Sequence, residues 1–304
     1  MSASVPGAAA SVEKTQLAQT RRLAARQTVA RVFNVVFLLA TCFAIFALAV
    51  LLWTIVGRGW DWLSWDLITR MPSRKAEQSG LNSAVLGTIW VISLTSLIAF
   101  PLGVGAAIYL EEYAPPSRWT KILQVNIANL SGVPSVVYGL LGLGIFAEML
   151  HLGRVILVGA LTMAVLSLPV IIIASQEAIR AVPWSLREAA FGVGATKWQV
   201  ARHHVLPAAF PGILTGTILA ISRAIGETAP LLVAGASAYV ATRPDSFFDS
   251  YTTLPIQIYN WTALPQKEFR SLAAAGIIVL LLLLLTMNSV AIILRQRATR
   301  KARW

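Results

Sequence analysis

Residues 180–207 read Arg180-Ala-Val-Pro-Trp-Ser-Leu-Arg-Glu188-Ala-Ala-Phe-Gly-Val-Gly194-Ala-Thr-Lys-Trp-Gln-Val-Ala-Arg-His-His-Val-Leu206-Pro207. Ser185 with Glu188 three residues on, and Thr196 with Gln199, are capping-box patterns, and each predicts a helix start. Gly192 and Gly194 lie between them and permit a sharp change of chain direction. Pro207 closes the second piece at the start of the next apolar run. The spacing predicts two short helices joined by a glycine turn, lying across one face of the molecule. An ordinary amphipathic connecting loop fits the residues alone as well.

On both sides of this stretch the chain is strongly apolar. Of its 304 residues, 57% are hydrophobic and 12% charged, with a mean hydropathy of +0.70. A soluble domain of this length cannot hide that much apolar surface. The same numbers exclude intrinsic disorder, and the single Cys42 excludes a disulfide scaffold. What remains is an all-α polytopic membrane protein. Crossing about 30 Å of hydrocarbon takes roughly 20 helical residues. Six runs qualify: 32–56, 83–110, 133–149, 155–175, 208–236 and 272–294. Pro101 predicts a kink in the second. The third is the weakest, being preceded by Asn126, Asn129 and Ser131. The first run is longer than a signal-peptide core, so residues 1–31 read as a cytoplasmic tail, with an interfacial helix around 16–29. Residues 81–295 form the core, and 296–304 a basic tail.

The net charge of +12 resembles that of a nucleic-acid binder. Distributed over six spans with the N-terminus inside, 16 of the 25 basic residues and 5 of the 13 acidic ones fall on the cytoplasmic side. That side carries +11 and the outer side +1. This is a positive-inside signature. It replaces the nucleic-acid reading with one of orientation and of contact with anionic lipid. The chain has no P-loop, no H-E-x-x-H and no G-x-S-x-G. The adjacent His203 and His204 point in different directions on a helix, which argues against a shared metal. Neither a cofactor nor a metal is expected in this chain.

The spacing Glu188-Ala189-Ala190, three residues, Gly194, nine residues, His204-Val-Leu206-Pro207 resembles the EAA signature of bacterial ABC importer permeases. An aliphatic residue usually stands in that family where this chain has His204. Asn82-Ser-Ala-Val-Leu-Gly-Thr88, Pro101-Leu-Gly-Val-Gly-Ala-Ala-Ile-Tyr-Leu-Glu-Glu-Tyr-Ala114, Ser131-Gly-Val-Pro-Ser-Val-Val-Tyr-Gly139 and Ser222-Arg-Ala-Ile-Gly-Glu-Thr-Ala-Pro230 are similar to the phosphate-importer permeases, more to the PstA type than to its partner. The resemblance implies a type I importer (MetI-like) fold in a bacterial inner membrane. It also implies a PstC-type permease partner, two PstB-type ATPases that bind the ATP and Mg, and an external PstS-type phosphate-binding protein. Residues 188–190, Gly194, Leu206 and Pro207 would dock in the ATPase. Importers of sulfate or molybdate, or a mainly regulatory phosphate-sensing subunit, are the alternatives.

Arg223 and Glu227 are four apart and share one helix face. They lie near the middle of the fifth run, where an unpaired charge costs about 2.5–3.5 kcal/mol on insertion scales. They are expected to face the bundle interior or a water-filled cavity. One reading is a structural ion pair. The other is an anion step, in which the planar guanidinium donates two parallel hydrogen bonds to an oxyanion and Glu227 prevents over-tight binding. The substrate pathway would comprise Arg223 and Glu227, with Ser222 and Thr228 beside them and Ser135 and Tyr138 from the third run. Helix packing explains Ser135 and Tyr138 equally well. Glu111 and Glu112 are expected to be structural, pairing with Arg118 or Lys121. The aromatic stretch 237–270 fits an interfacial belt or, by the resemblance, a docking face for the binding protein.

Overall fold

Apolar runs in a medium without water must satisfy their backbone hydrogen bonds internally, which selects helices. The computed structural model describes the backbone of residues 6–237 and 239–301, and the side chains of 26–27, 29–237 and 239–297. Expectations for residues 1–5 and 302–304 lie outside the described residues. In chain order the helices are α1 (Pro6–Gly59), α2 (Trp65–Thr69), α3 (Asn82–Ile108), α4 (Arg118–Leu130), α5 (Ser135–Leu141), α6 (Ile156–Arg180), α7 (Trp184–Gly192), α8 (Lys197–Val200), α9 (Leu206–Gly226), α10 (Ala229–Val233), α11 (Leu254–Ala263) and α12 (Lys267–Lys301). No strand occurs among the described residues. Widened, π-type turns extend α3 through Tyr113 and α5 through Met149, and join α8 to α9 across Ala201–Val205.

The chain divides into two units, Met1–Gly57 and Arg58–Trp304. In the first, residues 16–29 belong to the same helix as the first apolar run. Within that run the Thr41 and Thr54 hydroxyls each donate to a carbonyl one turn back, at 2.8 Å, so neither needs an outside partner.

The second unit is built around α6. Its small residues let neighbouring helices approach closely. A Cβ on Gly212 of α9 would come within 2.8 Å of the Ala178 Cβ, and one on Gly216 would collide with Ala174. This is a Gly-x-x-x-Gly face against Ala-x-x-x-Ala, the kind of contact that packs helices where lipid supplies no hydrophobic drive. α3 packs on α6 as well, where Gly103 leaves room for Ile171. The Thr95 hydroxyl of α3 donates to the Ala160 carbonyl of α6 at 3.2 Å. The resulting core includes Ala99, Ala164, Ile171, Ile179 and Ile213. It continues into the segment 180–207 through Ala190, Val200 and Val205.

The spans differ from their expected form in two places. Among the described residues, five helices are individually long and apolar enough to cross a membrane. The third run is instead a pair, α4 followed by α5 with its extension, bent by 105° at Ser131–Pro134. The fifth run is not continuous to residue 236, because α9 stops at Gly226. Glu227 is extended (φ −75°, ψ 123°), and a separate short helix, α10, follows. Both breaks fall where polar residues interrupt an apolar run.

Part of the stretch 237–270 caps the start of α6. Its Asp249 and Phe247 carbonyls accept from the Ile156 and Leu157 amides at the start of α6, which meets donors a helix start leaves open. Tyr251 and Trp261 are buried, and Phe247 packs edge-on against Trp90. Burial pushes the Tyr251 hydroxyl above its ordinary pKa. Phe248 and Tyr259 stay exposed.

Candidate functional site: two broken helices around an arginine

The two helix breaks meet. A small cavity of about 30 Å³ is lined by Ser131, Val133 and Ser135 at the α4–α5 bend, by Ser167 and Val170 of α6, and by Ala220, Arg223 and Glu227 at the end of α9. Irregular backbone is tolerated at membrane depth where it is buried in protein or lines a cavity. Interrupted helices of this kind carry the substrate sites of many transporters. Arg223 occupies the last turn of α9, where a cation is favoured by the exposed carbonyls. Its Nε donates to Glu227 Oε1 at 3.3 Å. The two terminal nitrogens of its fork have no hydrogen-bond partner among the described residues, and the side chain is 67% exposed, against 21% for Glu227. Glu227 thus holds the guanidinium by one edge and leaves the other edge open.

The remaining expected residues are placed differently. Ser135 lines the cavity with the charged pair. Tyr138 is buried, and its hydroxyl donates to the Leu130 carbonyl at 2.7 Å, tying α5 back across the bend to the end of α4. Ser222 faces α12: its hydroxyl bonds the Ile218 carbonyl at 2.6 Å and the Asn288 side chain. Thr228 is half-buried in the break, and its carbonyl accepts from Leu232. Ser131 and Ser167 line the cavity and were not singled out from the sequence. Hydroxyls one break apart in the chain, on helices far apart in sequence, give no local signal.

The second region is the segment 180–207. α7 and α8 are joined through Gly194, whose φ of +83° is a conformation L side chains rarely adopt. The Thr196–Gln199 capping box forms, but the Ser185–Glu188 one does not. Pro183 sets the start of α7 two residues earlier, so Ser185 already lies in the first turn. Nor does Pro207 close the second piece. α8 runs through the widened turn into α9, and Pro207 sits in the first turn of α9, where a missing amide hydrogen does least harm. Glu188, Ala189 and Gly194 are exposed, Leu206 and Pro207 half-buried, and Ala190 is in the core. Trp184, Phe191, Val193 and Trp198 are exposed beside them, an apolar patch of the kind that marks an interaction surface. His203 and His204 are exposed, and no cluster of metal-ligating side chains occurs among the described residues. Glu111 and Glu112 pair with Arg180 and Arg187 of this region, rather than with Arg118 or Lys121. Opposite charges some 70 residues apart cannot be matched from sequence.

An all-helical bundle with several helices long and apolar enough to cross a membrane, an ion pair at two broken helices, and an exposed helical segment between two such spans has the form of a transport permease. Residues 99–300 match the family described as the binding-protein-dependent transport system inner membrane component, and the chain belongs to it. Among its relatives is the phosphate transport system permease protein PstA of Yersinia pestis, 33% identical over 87% of this chain and 89% of that one. PstA 1 of Mycobacterium tuberculosis H37Rv is 32% identical, over 86% and 85%. The probable ABC transporter permease YqgI of Bacillus subtilis is 33% identical, over 78% and 85%. Solved structures share the fold at lower identity. A chain of the bacterial alginate ABC transporter, in complex with its pentasaccharide-bound periplasmic protein, superposes with a TM-score of 0.59 at 16% identity, over 94% of this chain and 97% of that one. A chain of the inward-facing MetNI methionine ABC transporter gives 0.57 at 17%, over 73% and 95%. The chain is therefore a multi-pass membrane subunit of the transport machinery and not itself a catalytic one.

Proposed function

We propose that this chain is the PstA-type permease of an ATP-driven phosphate importer and that Arg223 is its contact with the anion. The observation that carries the reading is the half-engaged guanidinium: one edge is held by Glu227, and a free fork faces open space at the junction of two broken helices. Arginine's planar donors match phosphate oxygens two at a time. A cavity of about 30 Å³ holds a water or two, well short of a tetrahedral oxyanion. This chain therefore supplies one wall of the pathway, and a PstC-type permease supplies the other. Ser135 belongs to that wall, while Tyr138, Ser222 and Thr228 brace it from behind.

A PstS-type protein delivers phosphate outside. Two PstB-type ATPases bind ATP and Mg in the cytoplasm, one of them receiving the Glu188, Ala189, Ala190 and Gly194 segment of this chain, with Leu206 and Pro207 linking that segment to α9. Both termini face the cytoplasm of a bacterial inner membrane, following the basic residues, which also contact anionic lipid. The permeases rock between inward and outward openings as the ATPases close.

The test is uptake of labelled phosphate by vesicles carrying the assembled complex, with internal ATP varied and unlabelled sulfate or molybdate in excess outside. The reading predicts ATP-dependent uptake that the competitors leave unchanged. Suppression by sulfate or molybdate would move the substrate to that oxyanion. ATP hydrolysis without uptake would make the subunit regulatory.

A further inference from the structure

The structure points to a second connection between the ATPase-facing segment and the membrane helices, made by side chains rather than by the chain itself. Covalently, α8 leads into α9 and so to Arg223. Separately, adjacent Glu111 and Glu112 on the widened turn that ends α3 reach two different arginines. Glu111 accepts from Arg180 at 2.7 and 2.9 Å, and from Gln176 at 2.9 Å. Glu112 accepts from Arg187 at 2.8 and 3.2 Å. Arg180 ends α6, whereas Arg187 belongs to α7.

Arg187 is the pivot of this arrangement. It is 5% exposed, and its guanidinium also donates to the Val182 and Ile179 carbonyls at 2.8 and 3.1 Å, in the α6–α7 connection and the last turn of α6. A single side chain thus bonds the last turn of α6 and the connection that follows it, and pairs with a carboxylate from the end of α3. A buried ion pair gives up much of its Coulombic gain to desolvation, so stability alone is a weak reason for it. What it does supply is fixed geometry: planar forks engaged on several sides allow little relative motion.

We propose that Glu112–Arg187, backed by Glu111–Arg180, is a positioning joint that makes α7 move with α3 and α6 as one body. ATPase closure then drives the α3–α6 wall together with α9. Without the joint, α7 could shift on its Ala181–Pro183 connection while α3 stayed behind. ATP would be hydrolysed with less substrate moved. Neither glutamate nor arginine touches the substrate.

This inference rests on the importer reading, and one experiment separates the two. The complete complex is reconstituted in proteoliposomes with internal ATP and external binding protein, and labelled phosphate taken up is measured per ATP hydrolysed. If wild type takes up no phosphate, the importer reading fails. If wild type transports, Glu112→Gln should leave assembly and ATP hydrolysis in place and lower phosphate per ATP about tenfold. Glu112→Asp, which keeps the charge, should recover part of the ratio. Glu111→Gln, whose arginine partner is half-exposed, should lower the ratio less. It also serves as the readout if Glu112→Gln does not assemble. A wild-type ratio in either assembled glutamine variant would overturn the joint, as would failure of both to assemble, which would make the glutamates folding residues. A merely structural role would lower uptake and hydrolysis together and leave the ratio unchanged.

Discussion

At the scale of the residue, Arg223 and Glu227 are unequal partners. The arginine offers free donors, and the carboxylate restrains it through a single nitrogen. Glu227→Gln keeps a carbonyl oxygen that can accept from Nε, so it should reduce labelled-phosphate uptake by roughly tenfold or less, the weight of a charge-assisted bond replaced by a neutral one. Arg223→Ala should reduce it further, with membrane levels of the complex unchanged on quantitative blotting. The reverse ranking would exchange their roles. The pair itself is legible in the sequence, since two charges four apart inside an apolar run stand out. Its neighbourhood is not legible. Tyr138 and Ser222 have the right chemistry for a pathway, yet each spends its hydroxyl on a neighbouring helix or turn. Only tertiary packing decides where a hydroxyl points.

At the scale of the element, small residues decide how closely the helices approach. Gly216→Leu and Gly212→Leu push a side chain into the Ala174–Ala178 face of α6. Each should destabilise the bundle by about 1–3 kcal/mol or more, as overpacking does. The measurable result is a lower melting temperature of the detergent-solubilised complex, with Gly144→Leu, at a position with open space beside it, as the control. Gly194→Ala should cost on the order of 1–2 kcal/mol through its left-handed backbone. It should weaken the α7–α8 turn without touching the helix faces. The Gly-x-x-x-Gly spacing is written in the sequence, and so is the Thr196 capping box. The end of α9 at Gly226 is not, because apolar residues resume directly after Glu227 and Thr228 and the break is fixed by what packs around it. For the same reason Ser185 misleads: a capping pattern is local, and Pro183 upstream sets the start of α7 first.

For the whole molecule, hydropathy and the asymmetry of basic residues give the class and a topology. In a Cys42→Ser background, a cysteine at Ser246, in the connection between α10 and α11, should react with a membrane-impermeant maleimide in intact spheroplasts. One at Ser185 of α7 should react only after permeabilisation. The opposite pattern would invert the orientation. The contacts that bind segment 180–207 to the end of α3 join residues about 70 positions apart, so neither periodicity nor motif spacing reports them. They appear only when the helices are packed.

The central claim is that an oxyanion passes against the open edge of Arg223. Its most direct test is uptake of labelled phosphate at saturating ATP by complexes carrying Arg223, Arg223→Lys or Arg223→Ala, normalised to assembled complex. Lysine keeps the charge but loses the fork. The account predicts residual uptake with lysine, about 10- to 100-fold below wild type on the scale of one lost bidentate contact, and none above background with alanine. Uptake by assembled Arg223→Ala complex at the wild-type rate would contradict it.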